Sequence, residues 1–252
     1  MSEQNVSELD ADAGRGGAGR FAFWIPVLVA TSAALALALA VTTPARSGPF
    51  CRTACIGYPY TDAAAFVPRD YLWMYPATVM ALLFVALVAC VGYFASARAR
   101  LYGQVGLAFA VISAAALVLD YAVQLAVMQP SLLAGETGDV SLFSQYNPHG
   151  AFIALEDAGY AAMGVAFFFA ASALDKGTRA LRAVRIVWGL GAVLAVGSLV
   201  LLGVFFGHDL EYRYEVAAIV IDWVALIVCG VLLSRAWHPA KAPRDARPRP
   251  VS

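Results

Sequence analysis

Four carboxylic acids lie inside long apolar stretches of this sequence, where such side chains are costly: Asp120, Glu156, Asp157 and Asp222. An acidic residue at the centre of a membrane-spanning helix costs about 2.5 to 3.5 kcal/mol on insertion scales. No Lys, Arg or His lies at a matching depth in any of these stretches, so the acids lack an evident ionic partner. We therefore expect them to be protonated, to share protons in pairs, or to bind a cation.

Helical spacing places three of these acids at a similar depth. At the rise of an α-helix, Asp120, Glu156 and Asp222 lie about 12, 9 and 13 Å from the helix ends on one predicted side of the membrane. Residues four apart share one face of a helix, so Gln124 lies on the face of Asp120 and Tyr160 on that of Glu156. Polar faces turn towards the interior of a bundle, away from lipid. We predict one pocket that binds a cation or small ligand, lined by Asp120, Gln124, Glu156, Asp157, Tyr160 and Asp222.

Three hypotheses about these acids remain open. In the first, the protein is not an enzyme, and the carboxylates line an outward-facing pocket that binds a cation or small ligand for transport or sensing. A cluster without His or Cys suits hard cations. In the second, a protonated carboxyl acts as general acid in an enzyme for a lipid or isoprenoid. In the third, the acids only join helices by hydrogen bonds in a scaffold subunit. The ligand-binding hypothesis predicts a water-connected cavity, and the enzyme hypothesis predicts an apolar slot of the size of a lipid. The scaffold hypothesis predicts no cavity.

The apolar stretches themselves predict an all-α bundle of six transmembrane helices. The chain has 252 residues, of which 61% are hydrophobic and 13% are charged. Each block is long enough to cross a hydrocarbon core of about 30 Å as a helix. The predicted spans are 21–43, 71–95, 101–128, 150–174, 185–207 and 214–235. They are flanked by a disordered tail at 1–20 and a basic, Pro-rich tail at 236–252.

Basic residues predict the orientation of this bundle. Of the seventeen Lys and Arg, thirteen fall on the side of the two termini and four on the other side. By the positive-inside rule, both termini are then cytoplasmic, and we expect a multi-pass protein of the bacterial plasma membrane. The loops at 44–70, 129–149 and 208–213 become external, and the second of them is predicted to cap the bundle.

Cysteines and glycines suggest structural roles. Cys51 and Cys55 lie in the first external loop, where oxidising conditions favour a disulfide. Cys90 and Cys229 lie within spans and are expected to pack as small apolar residues. The pair Gly203 and Gly207, four apart in the fifth span, predicts a close helix contact.

Several function classes lack support. The lysines, Lys176 and Lys241, lie outside the spans, which excludes the Schiff base of a retinal protein. The three histidines lie at span ends, which argues against haem. Walker, HExxH and GxSxG motifs are absent, so an enzyme is the less favoured reading. Seventeen acidic residues balance the basic ones, so nothing indicates nucleic acid as a partner; the predicted partner is the lipid bilayer.

The segments DYAVQLAVMQPSLLAGE and QYNPHGAFIALEDAGY, between Asp120 and Tyr160, resemble uncharacterised bacterial and archaeal polytopic membrane proteins. The resemblance covers about a sixth of the chain. It implies a membrane fold and carries over neither an activity nor a functional residue.

Overall fold

The computed structural model describes residues 3–136, 138, 140–175 and 177–238, with side chains from residue 19 onward. Regular structure in these residues is entirely helical, as predicted. In chain order the α-helices are α1 Glu3–Val41, α2 Met74–Phe94, α3 Arg100–Val123, α4 Gln129–Ala134, α5 Val140–Phe143, α6 Ala151–Ala173, α7 Arg179–Phe206 and α8 Tyr212–Ala236.

Six spans in the described part of the chain are long and apolar enough to cross a membrane. They contain α1, α2, α3, α6, α7 and α8, so the prediction of six spans is confirmed and the fold is that of a multi-pass membrane protein. Apolar side chains on nearly every face explain why these segments form helices that lipid can surround. Which side of the membrane each end faces stays a prediction from the basic residues.

Two helices begin well before their predicted starts. Helix α1 begins at Glu3, within the segment predicted as a disordered tail, because extending an existing helix adds a backbone hydrogen bond for each residue fixed. Helix α7 begins at Arg179, six residues early, because Thr178 caps it: the Leu181 amide donates to Thr178 Oγ1 at 3.2 Å. The tail predicted at 236–252 lies mostly outside the described residues.

The third span is longer than predicted. A π-helical turn at Gln124–Met128 joins α3 to α4, and the span runs from Arg100 to Ala134. Gly135 ends it in the left-handed conformation, with φ at 76°. The short α5 follows, and its first residue Val140 is buried while Leu142 is exposed. The second long loop therefore packs partly onto the bundle.

The six long helices form a closed ring in the order α1, α2, α3, α6, α7, α8, with α8 returning to α1. Helix α6 also contacts α8 across the middle of the ring. The rings of Phe23 and His238 lie 5.1 Å apart, so the start of the apolar part of α1 and the end of α8 meet at one end of the bundle. We call the opposite end, which carries the loops at 42–68, 135–150 and 207–211, the long-loop end.

Small residues allow two close helix contacts in this ring. A Cβ at Gly230 of α8 would lie 2.5 Å from the Pro26 carbonyl oxygen of α1, and one at Gly103 of α3 would lie 2.9 Å from Gly92 Cα of α2. The predicted contact at Gly203 and Gly207 is wrong, because no atom lies within 4 Å of a Cβ at either position. That part of α7 faces outward from the bundle, as the large exposed side chains beside these glycines indicate.

A disulfide and two hydrogen bonds fix the first part of the first long loop. The sulfur atoms of Cys51 and Cys55 lie at bonding distance, consistent with the predicted disulfide. The Ile56 amide donates to the Arg46 carbonyl oxygen at 2.7 Å, and Ser47 Oγ donates to the Tyr146 carbonyl oxygen at 2.5 Å. The two long loops are therefore joined to each other above the helices. Cys90 and Cys229 are buried free thiols.

Candidate functional site

Buried carboxyl groups from three helices gather in the half of the bundle nearest the long-loop end. Asp120 comes from α3, Glu156 from α6, and Glu215 and Asp222 from α8. Glu156 and Asp222 are fully buried, and the other two are nearly so. They meet because α6 packs against both α3 and α8.

A tyrosine pair supports the carboxyl group of Glu156. The Tyr121 hydroxyl donates to Glu156 Oε1 at 2.7 Å and lies 2.7 Å from the Tyr160 hydroxyl. A hydroxyl has one proton, so while Tyr121 donates to Glu156, Tyr160 must donate to Tyr121. This chain of hydroxyls, all fully buried, orients one oxygen of Glu156 and leaves its other oxygen available to a different partner.

Glu215 of α8 lies beside Glu156, close enough for the two carboxyl groups to interact. No N–H or O–H of the described residues donates to Oε2 of either side chain. Asp120 adds a third acid within electrostatic reach of both. Two bare carboxylates this close repel each other, so this arrangement requires a shared proton or a cation.

No base neutralises this group of acids. The salt bridges of the described residues involve Asp70, Asp209 and Glu211, and none reaches Asp120, Glu156, Asp157, Glu215 or Asp222. A buried charge without a partner is strongly unfavourable in an apolar interior. The acid cluster is therefore a place where a positive charge from outside the chain, or a proton, would be stabilised.

Glu215 also faces a cavity of about 330 Å³ at the long-loop end, between α1 and α8. Most of its wall is apolar, and Glu215 is the only acid among the described residues that line it. Trp73 also lines the cavity, and its ring lies 5.4 Å from that of Tyr121, one of the tyrosine pair. The polar residues of the wall are Thr43, Arg46, Ser47, Gln145, Tyr146, Tyr212 and Glu215.

Arg46 is the only base in this wall, and Asp70 neutralises it. Arg46 Nε lies 3.0 Å from Asp70 Oδ2, and the Asp70 side chain is 1% exposed. The guanidinium carbon lies 4.0 Å from the centre of the Phe66 ring, which further fixes its position. Because Arg46 is engaged in this way, the unbalanced charge of the wall is that of Glu215.

Tyr146, in the second long loop, also contacts Asp70. Its hydroxyl donates to Asp70 Oδ2 at 3.3 Å. Burial, followed by the neighbouring Tyr71 and the charge of Asp70, raises the pKa of the Tyr146 hydroxyl well above its usual range, so the hydroxyl keeps the proton that it donates. Tyr212 makes a second link, since its hydroxyl lies 2.8 Å from Ser47 Oγ and 3.1 Å from the Gln145 carbonyl oxygen, and either oxygen can accept its proton.

The six residues predicted to line one pocket are distributed differently. Asp120, Glu156 and Tyr160 belong to the acid and tyrosine cluster behind the cavity wall, and none of the six lines the cavity itself. The Gln124 side chain donates to the Phe143 carbonyl oxygen at 2.6 Å and so fastens the second long loop. Asp222 is fully buried, with no donor to either carboxyl oxygen.

Asp157 belongs to a separate and smaller cavity of about 180 Å³. This cavity also has His149, His208 and Glu211 in its wall. Among the described residues, no group of three or more His, Cys, Asp or Glu side chains is placed to hold a metal ion. The role of the six residues in binding a ligand stays a prediction.

Glu215 is the functional candidate that the sequence analysis left out of the pocket. It lies in the first turn of α8, at the edge of the last apolar stretch, where an acid is typical of a solvated helix start. A signal was present in the sequence, because Glu215 and Asp222 are seven residues apart and share one face of the helix.

Comparison with known proteins finds no matching family model, no matching curated protein and no matching solved structure. The functional argument therefore depends on the geometry of the site.

Proposed function

We propose that the protein binds a small positively charged ligand in the cavity at the long-loop end, with Glu215 and Glu156 as the acid pair that receives the charge. One observation carries the proposal: Glu215 lines the cavity and lies beside a second buried carboxyl, and no base of the described residues forms a salt bridge with either of them. A cation bound at Glu215 would replace the proton that this proximity otherwise requires.

The proposed ligand is an organic cation. A metal ion would need several preorganised oxygen ligands, and the described residues provide no such group of three. The cavity, at about 330 Å³, is within the range of small-molecule sites, and its wall is apolar apart from a few polar groups. An ammonium group with a carbon skeleton matches both the charge and the apolar wall.

The proposed orientation places the cavity on the outer side of the plasma membrane. Thirteen of the seventeen basic residues lie on the side of the termini, and the disulfide-forming cysteines lie in the first loop of the long-loop end. A ligand would then reach Glu215 from outside the cell or from the outer leaflet.

The alternative of a membrane enzyme acting on a lipid or isoprenoid draws support from the apolar wall of the same cavity. In that case Glu215 would be the general acid, since it is the acid that a substrate in the cavity could touch. The scaffold hypothesis predicts no cavity, and the presence of this one argues against it.

The test is the thermal stability of the purified protein in detergent with sodium, potassium, magnesium, calcium, methylamine and butylamine salts. A ligand that binds only the folded state stabilises it by about 2.7 kcal/mol at a hundred times its dissociation constant. We expect the amines to raise the melting temperature of wild type and to lose this effect in Glu215→Gln.

The matched control is Asp209→Asn, which removes an exposed acid at the same end of the bundle. Its response to amines should equal that of wild type. If Glu215→Gln folds and responds to amines as wild type does, or if no cation stabilises wild type, the proposal is wrong.

A further inference from the structure

The cavity beside Glu215 lies in the seam between α1 and α8, and this seam reaches the outer surface of the bundle. Further along, the two helices are in close contact where Gly230 meets Pro26 and Ala30. Ten residues before Gly230, about 15 Å along α8, Val220 lines the cavity instead. The seam is thus closed towards the end where Phe23 meets His238 and hollow near the long-loop end.

Side chains on both edges of the hollow part face away from the bundle. Val41 of α1 is 70% exposed, and Val216 and Val220 of α8 are 44% and 48% exposed, yet all three also line the cavity. They belong to spans apolar enough to be surrounded by lipid. The cavity therefore borders on the lipid of the leaflet at the long-loop end, through a gap with apolar edges.

The cavity is also amphipathic along its length. Glu215 and the hydroxyls of Ser47 and Tyr212 lie in the wall beside the two long loops, while Val216, Ile219 and Val220 continue the wall along α8 into the membrane span. A ligand that fits this wall has a charged head and an apolar chain. The head is cationic, because the only base of the wall is already paired with a buried acid.

We infer that the ligand is an amphiphilic amine, with its ammonium group at Glu215 and its hydrocarbon chain along the α1–α8 seam, reached from the adjacent lipid leaflet. This inference rests on the proposed function and adds the apolar part of the ligand and its route. A neutral or anionic amphiphile would leave the charge of Glu215 without a partner.

The experiment measures the dissociation constants of ethylamine, butylamine, hexylamine and octylamine for the protein in lipid nanodiscs, against the free aqueous amine concentration fixed by equilibrium dialysis. If the chain is buried in the seam, the constant should fall about fourfold for each added methylene. If ethylamine binds at Glu215 but longer chains bind no more tightly, the inference is wrong and the proposed function stands.

Two tryptophan variants locate the chain. Val216→Trp fills the cavity from its edge and should weaken octylamine binding at least tenfold, and far more than it weakens ethylamine binding. Val224→Trp is the matched control, since Val224 lies on the same helix with the same 44% exposure and is not in the cavity wall. Equal effects of the two substitutions on octylamine would overturn the inference.

A Glu215→Gln variant separates the two proposals. It should abolish saturable binding of every amine in the series. If amines of all lengths bind Glu215→Gln and wild type equally, or if none binds wild type, both the proposed function and this inference fail.

Discussion

Two arginines contact the same buried carboxylate, and their unequal burial predicts unequal contributions to stability. Arg46 Nε lies 3.0 Å from Asp70, and its side chain is 15% exposed. Arg69 Nη1 lies 3.5 Å from Asp70, and its side chain is 57% exposed. Removing one partner of a buried ion pair costs about 3 to 5 kcal/mol, whereas an exposed pair contributes about 0 to 1 kcal/mol.

We therefore expect Arg46→Gln to lower the free energy of unfolding by about 3 kcal/mol. This value is the lower end of the range for a buried pair, because Arg69 and the Tyr146 hydroxyl still face Asp70. Arg69→Gln should cost less than about 1 kcal/mol. At roughly 2 to 4 °C per kcal/mol for a chain of this size, the melting temperature should fall by about 6 to 12 °C for Arg46→Gln and by less than about 4 °C for Arg69→Gln.

The assay is thermal unfolding of both variants in one detergent, followed by circular dichroism at low and high salt. Salt should reduce the effect of Arg69→Gln and leave that of Arg46→Gln nearly unchanged, because buried pairs are screened less. A double variant of Arg46→Gln with Asp70→Asn should lose less stability than the sum of the single variants. A larger loss for Arg69→Gln than for Arg46→Gln would refute the reasoning.

Three further predictions concern single positions. Tyr121→Phe removes the hydroxyl that donates to a buried carboxyl on α6 and should cost about 1 to 3 kcal/mol, while Tyr93→Phe, at an exposed position, should have little effect in the same unfolding assay. Gly230→Ala should destabilise the protein by about 1 to 3 kcal/mol, because the added Cβ overpacks the contact with α1. Gly203→Ala has open space around its Cβ and should stabilise the protein by about 0.5 to 1 kcal/mol. A change in unfolding free energy of the same sign for both variants would contradict the packing described. Burial raises the pKa of the Tyr146 hydroxyl, so the folded protein keeps a proton that the unfolded chain loses near about pH 10, and stability should fall as the pH rises above that value. This alkaline loss should be smaller in Tyr146→Phe, and an unchanged loss would remove Tyr146 as its cause.

The spans could be predicted from the sequence because length and hydropathy determine which segments lipid can surround. The end of the third span could not be predicted in the same way. Pro130 in the sequence indicates a helix end. However, the π-helical turn at Gln124–Met128 places Pro130 in the first turn of α4, where the N–H that proline lacks is not needed for a helical hydrogen bond.

The acid cluster was predictable in part. Asp120 and Glu156 are both buried, as expected of polar helix faces that turn away from lipid. Their proximity to Glu215 depends on which helices are neighbours in the ring, and one sequence does not determine that order. Glu215 lies at the edge of its apolar stretch, and it is buried only because residues of both long loops, among them Ser47 and Tyr146, help to build the cavity wall around it.

The central claim is that Glu215 receives a cation in the cavity. Equilibrium dialysis of radiolabelled butylamine with purified wild type, Glu215→Gln and Asp209→Asn tests it most directly. The account predicts saturable binding of one amine per chain in wild type and Asp209→Asn, and none in Glu215→Gln. Saturable binding of equal strength in all three proteins, or no saturable binding in wild type, would contradict it.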